Sequence, residues 1–579
     1  MYREMIVQAA KLFQMPQSRA DYSMIVTEIT RYLFPILAIL ILIRCIRSLL
    51  SFRKEPEIWA WLNVNDETLL PVTHWENLIG SNKRCDIVID DRDIRKNHAV
   101  LTRYDDGSWT VSDIAGKGGV YVNGRRVSIS AIEFGDEISL DGIPIRLEPV
   151  TQEDRQYGML ERTKAGKLVY PAPTLILLTI FQILAGLQLM LQTEQAYISF
   201  VAIGYTALIV AQWALFSGLK AMRRSGFEIE TIAFFLSTLG LSVVASGSPG
   251  ELIKTIISIL LGIIIYLLVG WSLRDLERAK KIRYVAAVLG VFMLLATLVL
   301  GTEVKGAKNW IYIGGISLQP SEITKLCFIF VGAATMDRMV TKRNLILFIV
   351  YSAVICGCLA LMSDFGTALI FFVSFLVIAF LRSGSFATLA LSLTATGFAG
   401  SVALTLKPYI KNRFKVWGHV WENIGNNGHQ QASAMMCIAS GSLFGLGVGC
   451  GEMKHVFAGD CDLVFGFVSE EWGLIIGLIC VVSIAIICLF VVRSSGVARS
   501  SFYTIGACAA ATILLMQTVL NVFGTIDFLP LTGVTFPFVS NGGSSMLSAW
   551  GLLAFIKAAD TRQNASFAVR LSKEGETTE

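Results

Sequence analysis

The sequence predicts a polytopic all-α membrane protein that carries one all-β sandwich near its N-terminus. Three observations lead there. The 579 residues are 54% hydrophobic and only 16% charged, with a mean hydropathy of +0.60, whereas soluble domains carry about 25% charged residues. From Pro171 onward the chain is a succession of long apolar runs. Between Glu57 and Pro149, by contrast, charges return and the hydrophobic pattern shortens to period two. The net charge of +5 is small for this length and gives no reason to expect a nucleic-acid surface. It fits cytoplasmic loops, where Lys and Arg collect.

The segment 1–32 is polar and mixed in charge, and no small-residue cleavage site follows it, so no cleavable signal peptide is expected. The first apolar run, residues 33–50, is interrupted by Arg44 and Arg47. It is about the minimum length for a transmembrane anchor, with its Arg-bearing end cytoplasmic. Residues 57–149 contain alternating runs such as Cys85-Asp-Ile-Val-Ile, Trp109-Thr-Val-Ser and Ile143-Pro-Ile-Arg-Leu. Asn123-Gly124 and Asp141-Gly142 between such runs are hairpin signals, so this domain is read as a sandwich.

After a linker at 150–170, about twelve apolar runs begin near residues 172, 197, 229, 252, 283, 320, 344, 365, 385, 464, 502 and 534. Every second connection is basic: Lys220/Arg223/Arg224, Arg274 to Arg283, Arg338/Lys342/Arg343, Arg382, Arg493/Arg499 and Lys557/Arg562. This alternation puts the β domain and the tail, 559–579, on the cytoplasmic side. It leaves Gly301–Gln319 and the long segment from Lys407 to Asp462 outside. The 11 cysteines show no metal-ligand spacing. Cys450 and Cys461 share an outside loop, where a disulfide between them is open.

Four strings in the membrane portion carry chemistry. In the first, Gly306-Ala-Lys-Asn-Trp310 precedes Gln319-Pro-Ser-Glu322-Ile-Thr-Lys325. Pro320 suits a first helical turn, and Glu322 and Lys325 lie one turn apart. They are either a structural ion pair or substrate contacts. The second, Ser363-Asp364-Phe-Gly-Thr367, offers a helix cap or a functional Asp. The third gathers Asp460, Asp462, Glu470 and Glu471 where the long loop enters a span. On a helix starting near Asp462 the two glutamates lie on the order of 12–14 Å deeper. Asp462 is therefore the carboxylate best placed to meet a substrate at the surface. The fourth, Asn521 followed by Pro530 to Ser545, holds two prolines and three glycines at a span entrance, implying an irregular backbone that lines a cavity or is buried by protein.

Taken in order, these strings resemble the SEDS (FtsW/RodA-like) family over residues 229–558. The family's Gly-Ala-Gln-Arg-Trp loop appears as Gly306 to Trp310, with Lys308 and Asn309 at the polar pair. Gln-Pro-Ser-Glu is intact, and Met362-Ser-Asp364-Phe-Gly-Thr367 stands for Gln-Pro-Asp-Leu-Gly-Thr. Ala439 to Gly447 is similar to the glycine-rich part of the family's outer loop. Cys461-Asp462-Leu-Val-Phe465 with Glu470-Glu471-Trp-Gly473 matches its acidic region, without the Pro-Glu that precedes the Asp. The final Pro-Leu-Thr-Gly…Pro-Phe…Gly-Gly-Ser-Ser is nearly identical. The resemblance implies a SEDS core at 229–558 preceded by two additional spans at 171–228.

It further implies a peptidoglycan glycosyltransferase that polymerises lipid II, in elongation, division or sporulation, beside a class B penicillin-binding protein. Asp462 falls at the family's essential outer Asp and becomes the general base. Trp310, Glu322, Lys325, Ser544 and Ser545 become substrate-contact candidates. Departure of the diphosphate needs positive charge, from Arg413, Lys415 or a divalent cation, Mg or Mn. The alternatives are a flippase for the same lipid-linked precursor and an inactive scaffold that recruits a transpeptidase. No internal repeat supports a transporter.

Residues 78–147 resemble an FHA domain: Ile79-Gly80, Asp86 to Asp90, Asn97-His98, Val120 to Gly124 and Gly135-Asp136. Its phosphothreonine-contact positions are altered, with Ser81, Arg95, Lys96 and Lys117-Gly118 standing there. Arg95, Lys96 and Lys117 keep an anion site open, and docking of a cytoplasmic regulatory protein is the other reading. His98 is expected to brace a loop.

Overall fold

The computed structural model describes residues 19–560 apart from 51–57, 75, 84, 105–106, 115–118, 153–169, 223, 225, 305–306, 314–315, 337–341, 384–385, 387–388, 395–396, 398–407, 427 and 496–499. The chain opens with helix α1, Arg19–Leu50. This helix starts earlier than the apolar run at Leu33. Ser23, Thr27 and Thr30 in its first part are buried, and they hydrogen-bond glutamines of a neighbouring helix. Segment polarity therefore did not mark the helix start, because the polar side chains are paired inside the bundle.

Eleven strands follow: β1 (Ala60–Val64), β2 (Thr68–Val72), β3 (Glu76–Gly80), β4 (Ile87–Val88), β5 (Ala99–Arg103), β6 (Trp109–Asp113), β7 (Val120–Val122), β8 (Arg125–Arg126), β9 (Ile129–Ile132), β10 (Glu137–Leu140) and β11 (Ile143–Glu148). They form two sheets in the orders β2-β1-β11-β10-β7-β8 and β4-β3-β5-β6-β9. All pairs are antiparallel except β3 with β4. Alternate residues point inward, so Leu62, Leu101, Val111, Val120, Leu140 and Leu147 meet in one core between the sheets. At the Asn123-Gly124 and Asp141-Gly142 hairpins all four residues have positive φ, as type I′ turns require.

The helical region begins with α2 (Pro171–Gln192) and α3 (Ile198–Ala221). Then come α4 (Glu228–Gly247), α5 (Leu252–Leu273) and α6 (Leu276–Leu300). α4 is almost wholly buried and forms the centre of the bundle. Apolar residues on α5 and α6, such as Leu268, Val288 and Val299, stay exposed, as a lipid-facing surface does. The segment after α6 folds into a three-stranded sheet, β12 (Thr302–Val304), β13 (Ala307–Ile313) and β14 (Ile316–Leu318). Helices α7 (Pro320–Met336), α8 (Lys342–Leu361) and α9 (Phe365–Ser383) follow. The run near 385 lies largely outside the described residues.

In the long loop sit the short helix α10 (Pro408–Val416) and α11 (His429–Gly441). The run near 464 is not one helix. It comprises α12 (Val464–Glu471) and α13 (Leu474–Ser495), broken at Trp472–Gly473. α14 (Ser501–Thr525) leads through irregular backbone to α15 (Gly543–Ala558), so the last helix begins later than residue 534. Among the described residues nine helices are long and apolar enough to cross a membrane.

Candidate active site

The irregular segment between α14 and α15 is the hub on which Asp462, Arg413 and Ser545 converge. Asn521, on α14, donates one amide proton to the Asp462 carbonyl (3.0 Å) and the other to the Val534 carbonyl (2.9 Å). It thereby staples the start of α12 to the hub. Gly533 has φ +72°, and a Cβ there would stand 3.4 Å from Asp462 Oδ2. The Asp462 carboxylate thus faces the turn at Gly533 and is half-buried. Arg413, on α10, donates to the Leu531 carbonyl two residues away. Ser540 Oγ donates to the Cys461 carbonyl at 2.6 Å.

Asp460 has other partners. Its carboxylate accepts from Ser248 Oγ and from Asn541 Nδ2, each at 2.8 Å. Glu470 Oε2 accepts from the Met453 N–H at 2.8 Å, and Glu471 Oε1 from Ser246 Oγ. Both glutamates sit at the far end of α12 and anchor the preceding loop, so the four carboxylates do not form one cluster. Negative charge is nonetheless concentrated here. Burial pushes the Cys461 thiol well above its usual range, and the Asp462, Asp460 and Glu322 carboxylates add to the rise.

The other side of the hub holds the buried pair Glu322–Lys325, at 2.6 Å on α7. Ser548 Oγ donates to the second oxygen of Glu322. Ser544 Oγ accepts from the Gln319 N–H at 3.1 Å, and Ser545 shares a 2.7 Å hydrogen bond with Thr535. Glu322 and Lys325 satisfy each other, with Ser548 completing the carboxylate. Asp364 caps α9 through the Thr367 N–H (3.2 Å), and its other oxygen accepts from Asn309 (3.2 Å) and Gln319 (3.5 Å). Asp364 therefore joins the β12–β14 sheet to the starts of α7 and α9. Trp310, next to Asn309, is half-buried, and its carbonyl accepts from Thr302 Oγ1 at 3.2 Å.

Asn521 Oδ1 and Thr532 Oγ1 are among the buried atoms of this region without a hydrogen-bond partner among the described residues. Asn521 and Asn309 were legible only as letters inside motifs, because their partners are 59 and 55 positions away.

In the β domain, the loop at residues 95–97 is clasped against the end of β3 (Glu76–Gly80). The Ser81 N–H donates to the Arg95 carbonyl (2.9 Å), and the Asn82 N–H to that of Lys96 (3.3 Å). His98 is fully buried, and its Nδ1 accepts from the Arg95 N–H at 3.3 Å. It braces the loop from within. Arg95 lies 4.0 Å from the Asp141 carboxylate, which offsets its charge. Lys96 is exposed, and Lys117 lies outside the described residues.

An all-β sandwich joined to a bundle of long apolar helices defines a multi-pass membrane protein with a separate β domain. Residues 231–565, more than half of the chain, match the FtsW/RodA/SpoVE family, the cell cycle proteins, and the chain belongs to that family. Residues 77–141 match the FHA domain. The probable peptidoglycan glycosyltransferase FtsW of Borreliella burgdorferi is 25% identical over 340 residues, covering 56% of this chain and 91% of that protein. The peptidoglycan glycosyltransferase RodA of Mycobacterium tuberculosis is 27% identical over 317 residues, covering 51% of this chain and 67% of that one. Among solved structures, RodA of Thermus thermophilus superposes with a TM-score of 0.42 at 22% identity, over 57% of this chain and 94% of that chain.

Proposed function

We propose that this chain is a peptidoglycan glycosyltransferase that polymerises lipid II at the outer face of the cytoplasmic membrane. Family membership and the names of the relatives support the reaction class. One observation carries the assignment of the base: Asp462, at the family's acidic position, has its carboxylate against the hub that Arg413 also contacts. The sugar 4-hydroxyl of lipid II attacks C1 of the growing strand, and its proton passes to Asp462 and then to water. The C1–O bond to the diphosphate breaks, and undecaprenyl diphosphate leaves with the electron pair. Arg413, with Lys415 on the same helix, offsets its charge. A divalent cation, Mg or Mn, would enter as the counter-ion of that diphosphate. Among the described residues no group of three or more His, Cys, Asp or Glu is arranged to hold a metal.

Trp310, Glu322, Lys325, Ser544 and Ser545 are assigned to the walls that hold substrate. The basic connections support a cytoplasmic β domain and an outer Asp462. A class B penicillin-binding protein is the proposed partner in the membrane, and a regulatory protein that of the FHA domain. Purified chain and Asp462→Asn, each with a candidate transpeptidase, are to be compared on lipid II. Strands from the first and none from the folded second are expected. Equal output from both removes Asp462 from the mechanism, and no output from either favours the scaffold.

A further inference from the structure

α1 and α2 precede the family-matched region, yet they touch the loop that leads into α12. Their contact is a ladder of buried polar side chains. Thr30 Oγ1 donates to Gln188 Oε1 at 2.7 Å, Gln188 Nε2 donates to Thr27 Oγ1 at 3.3 Å, and Gln192 Nε2 donates to Ser23 Oγ. On its other side α2 is fixed by Gln182, whose Nε2 reaches Gln212 on α3 (3.1 Å) and Thr238 on α4 (3.0 Å). A primary amide inside a bundle is costly unless paired. Paired on both sides, these amides set one register for α1 and α2 against α4.

The top of the ladder abuts the glycine-rich loop. A Cβ at Gly447 would stand 2.3 Å from Thr27 Cγ2 and 3.3 Å from Gln188 Nε2, and one at Gly449 would stand 2.9 Å from Gln192 Cβ. The same loop holds the far end of α12. The Gly447 N–H donates to the Glu471 carbonyl (3.0 Å), the Leu446 N–H to that of Glu470 (2.9 Å), and Glu470 Oε2 receives the Met453 N–H. α12 is short and begins two residues after Asp462. Its two ends are thus fixed by different parts of the molecule, Asn521 at the Asp462 end and the loop at the other.

We propose that Gln188 is a positioning residue for Asp462: with Thr27, Thr30 and Gln192 it holds the Gly445–Gly451 loop, and through that loop α12, in the arrangement used for polymerisation. This rests on the glycosyltransferase reading given above. α1 is tied further into the bundle where Arg44 Nε donates to Thr174 Oγ1 at 3.0 Å and Ser48 Oγ donates to Glu228.

The test uses the full chain in lipid nanodiscs with Gln188→Leu, Thr27→Val and Thr27→Ser. Two quantities are read: amide hydrogen exchange of residues 442–453, and turnover over a range of lipid II concentrations. Gln188→Leu should speed exchange at Gly447 and lower kcat, each about ten-fold, with KM unchanged. Thr27→Val should act in the same direction, and Thr27→Ser, which keeps the hydroxyl, should match the wild type. Unchanged loop exchange in both apolar variants overturns the proposal, and so does faster exchange with full turnover. If Gln188→Leu fails to fold, Thr27→Val decides. A wild-type chain that polymerises nothing defeats the glycosyltransferase reading instead, and loop exchange then still reports whether Gln188 holds the loop.

Discussion

Asn521 donates both amide protons to carbonyls on facing walls of the site, while its own oxygen has no hydrogen-bond partner among the described residues. It is 1% exposed, so removing it strands two acceptors inside protein, at about 1–3 kcal/mol. Asn521→Leu, of similar volume, should lower the thermal midpoint and cut lipid II turnover at least ten-fold or so by loosening Asp462 against the hub. Full turnover in that variant would remove Asn521 from the machinery. The cysteines near Asp462 offer a second prediction. Cys450 and Cys461 are both free thiols, and burial raises each, with Glu471 adding to it for Cys450 and Asp462 and Asp460 for Cys461. Peptide mapping should find no bridge between them, and alkylation at neutral pH should be slow at both, because little thiolate forms. Fast labelling of Cys461 would contradict the acidic, enclosed surroundings described here. Asp462 was legible because a carboxylate at a span entrance is unusual and its neighbours form a motif. The partners that aim it were not legible, since hydrogen bonds across dozens of residues leave no spacing to read.

At the scale of elements, the break between α12 and α13 is what separates Glu470 and Glu471 from the membrane-spanning helix. Gly473 has φ +88°, and a Cβ there would stand 2.3 Å from the Leu443 carbonyl oxygen. Both the backbone angle and the space demand glycine. Gly473→Ala should cost about 2 kcal/mol or more, read as a lower thermal midpoint in detergent, and should also slow polymerisation by displacing the loop on Glu470 and Glu471. A midpoint equal to the wild type would mean that the break is not tightly packed. This break was hidden in the sequence because Trp472-Gly473 lies inside a run that is apolar on both sides. The start of α1 was hidden for the opposite reason. Ser23, Thr27 and Thr30 recur at helical spacing, but hydropathy registers their polarity and not the glutamines that answer it. The β domain was easier to read. Period-two alternation and the Asn-Gly and Asp-Gly turns are local signals, and β4, β6, β7, β10 and β11 fall on the runs they mark.

For the whole molecule, the family-matched region is closed on itself by one buried polar node. Lys557, near the end of α15, lies 2.9 Å and 3.1 Å from the two carboxylate oxygens of Glu230 at the start of α4. Its third contact is the Gly226 carbonyl at 2.7 Å, and Tyr266 on α5 donates to Glu230 at 2.5 Å. The node thus ties the first helix of the matched region to the last, with α5 between them. Both charged side chains are at most 1% exposed. The sequence displayed Lys557 only as one of the basic residues near a cytoplasmic end, because a buried partner 327 positions away has no local signature. Removing one charge leaves the other uncompensated in a low-dielectric interior, at about 3–5 kcal/mol. Lys557→Met should therefore destabilise the bundle strongly, lowering the thermal midpoint of the full chain in detergent. The double variant Glu230→Leu/Lys557→Met should recover most of that loss, since no charge is stranded. If the double variant is as unstable as Lys557→Met alone, the node holds the helices by its specific geometry rather than by compensating a buried charge.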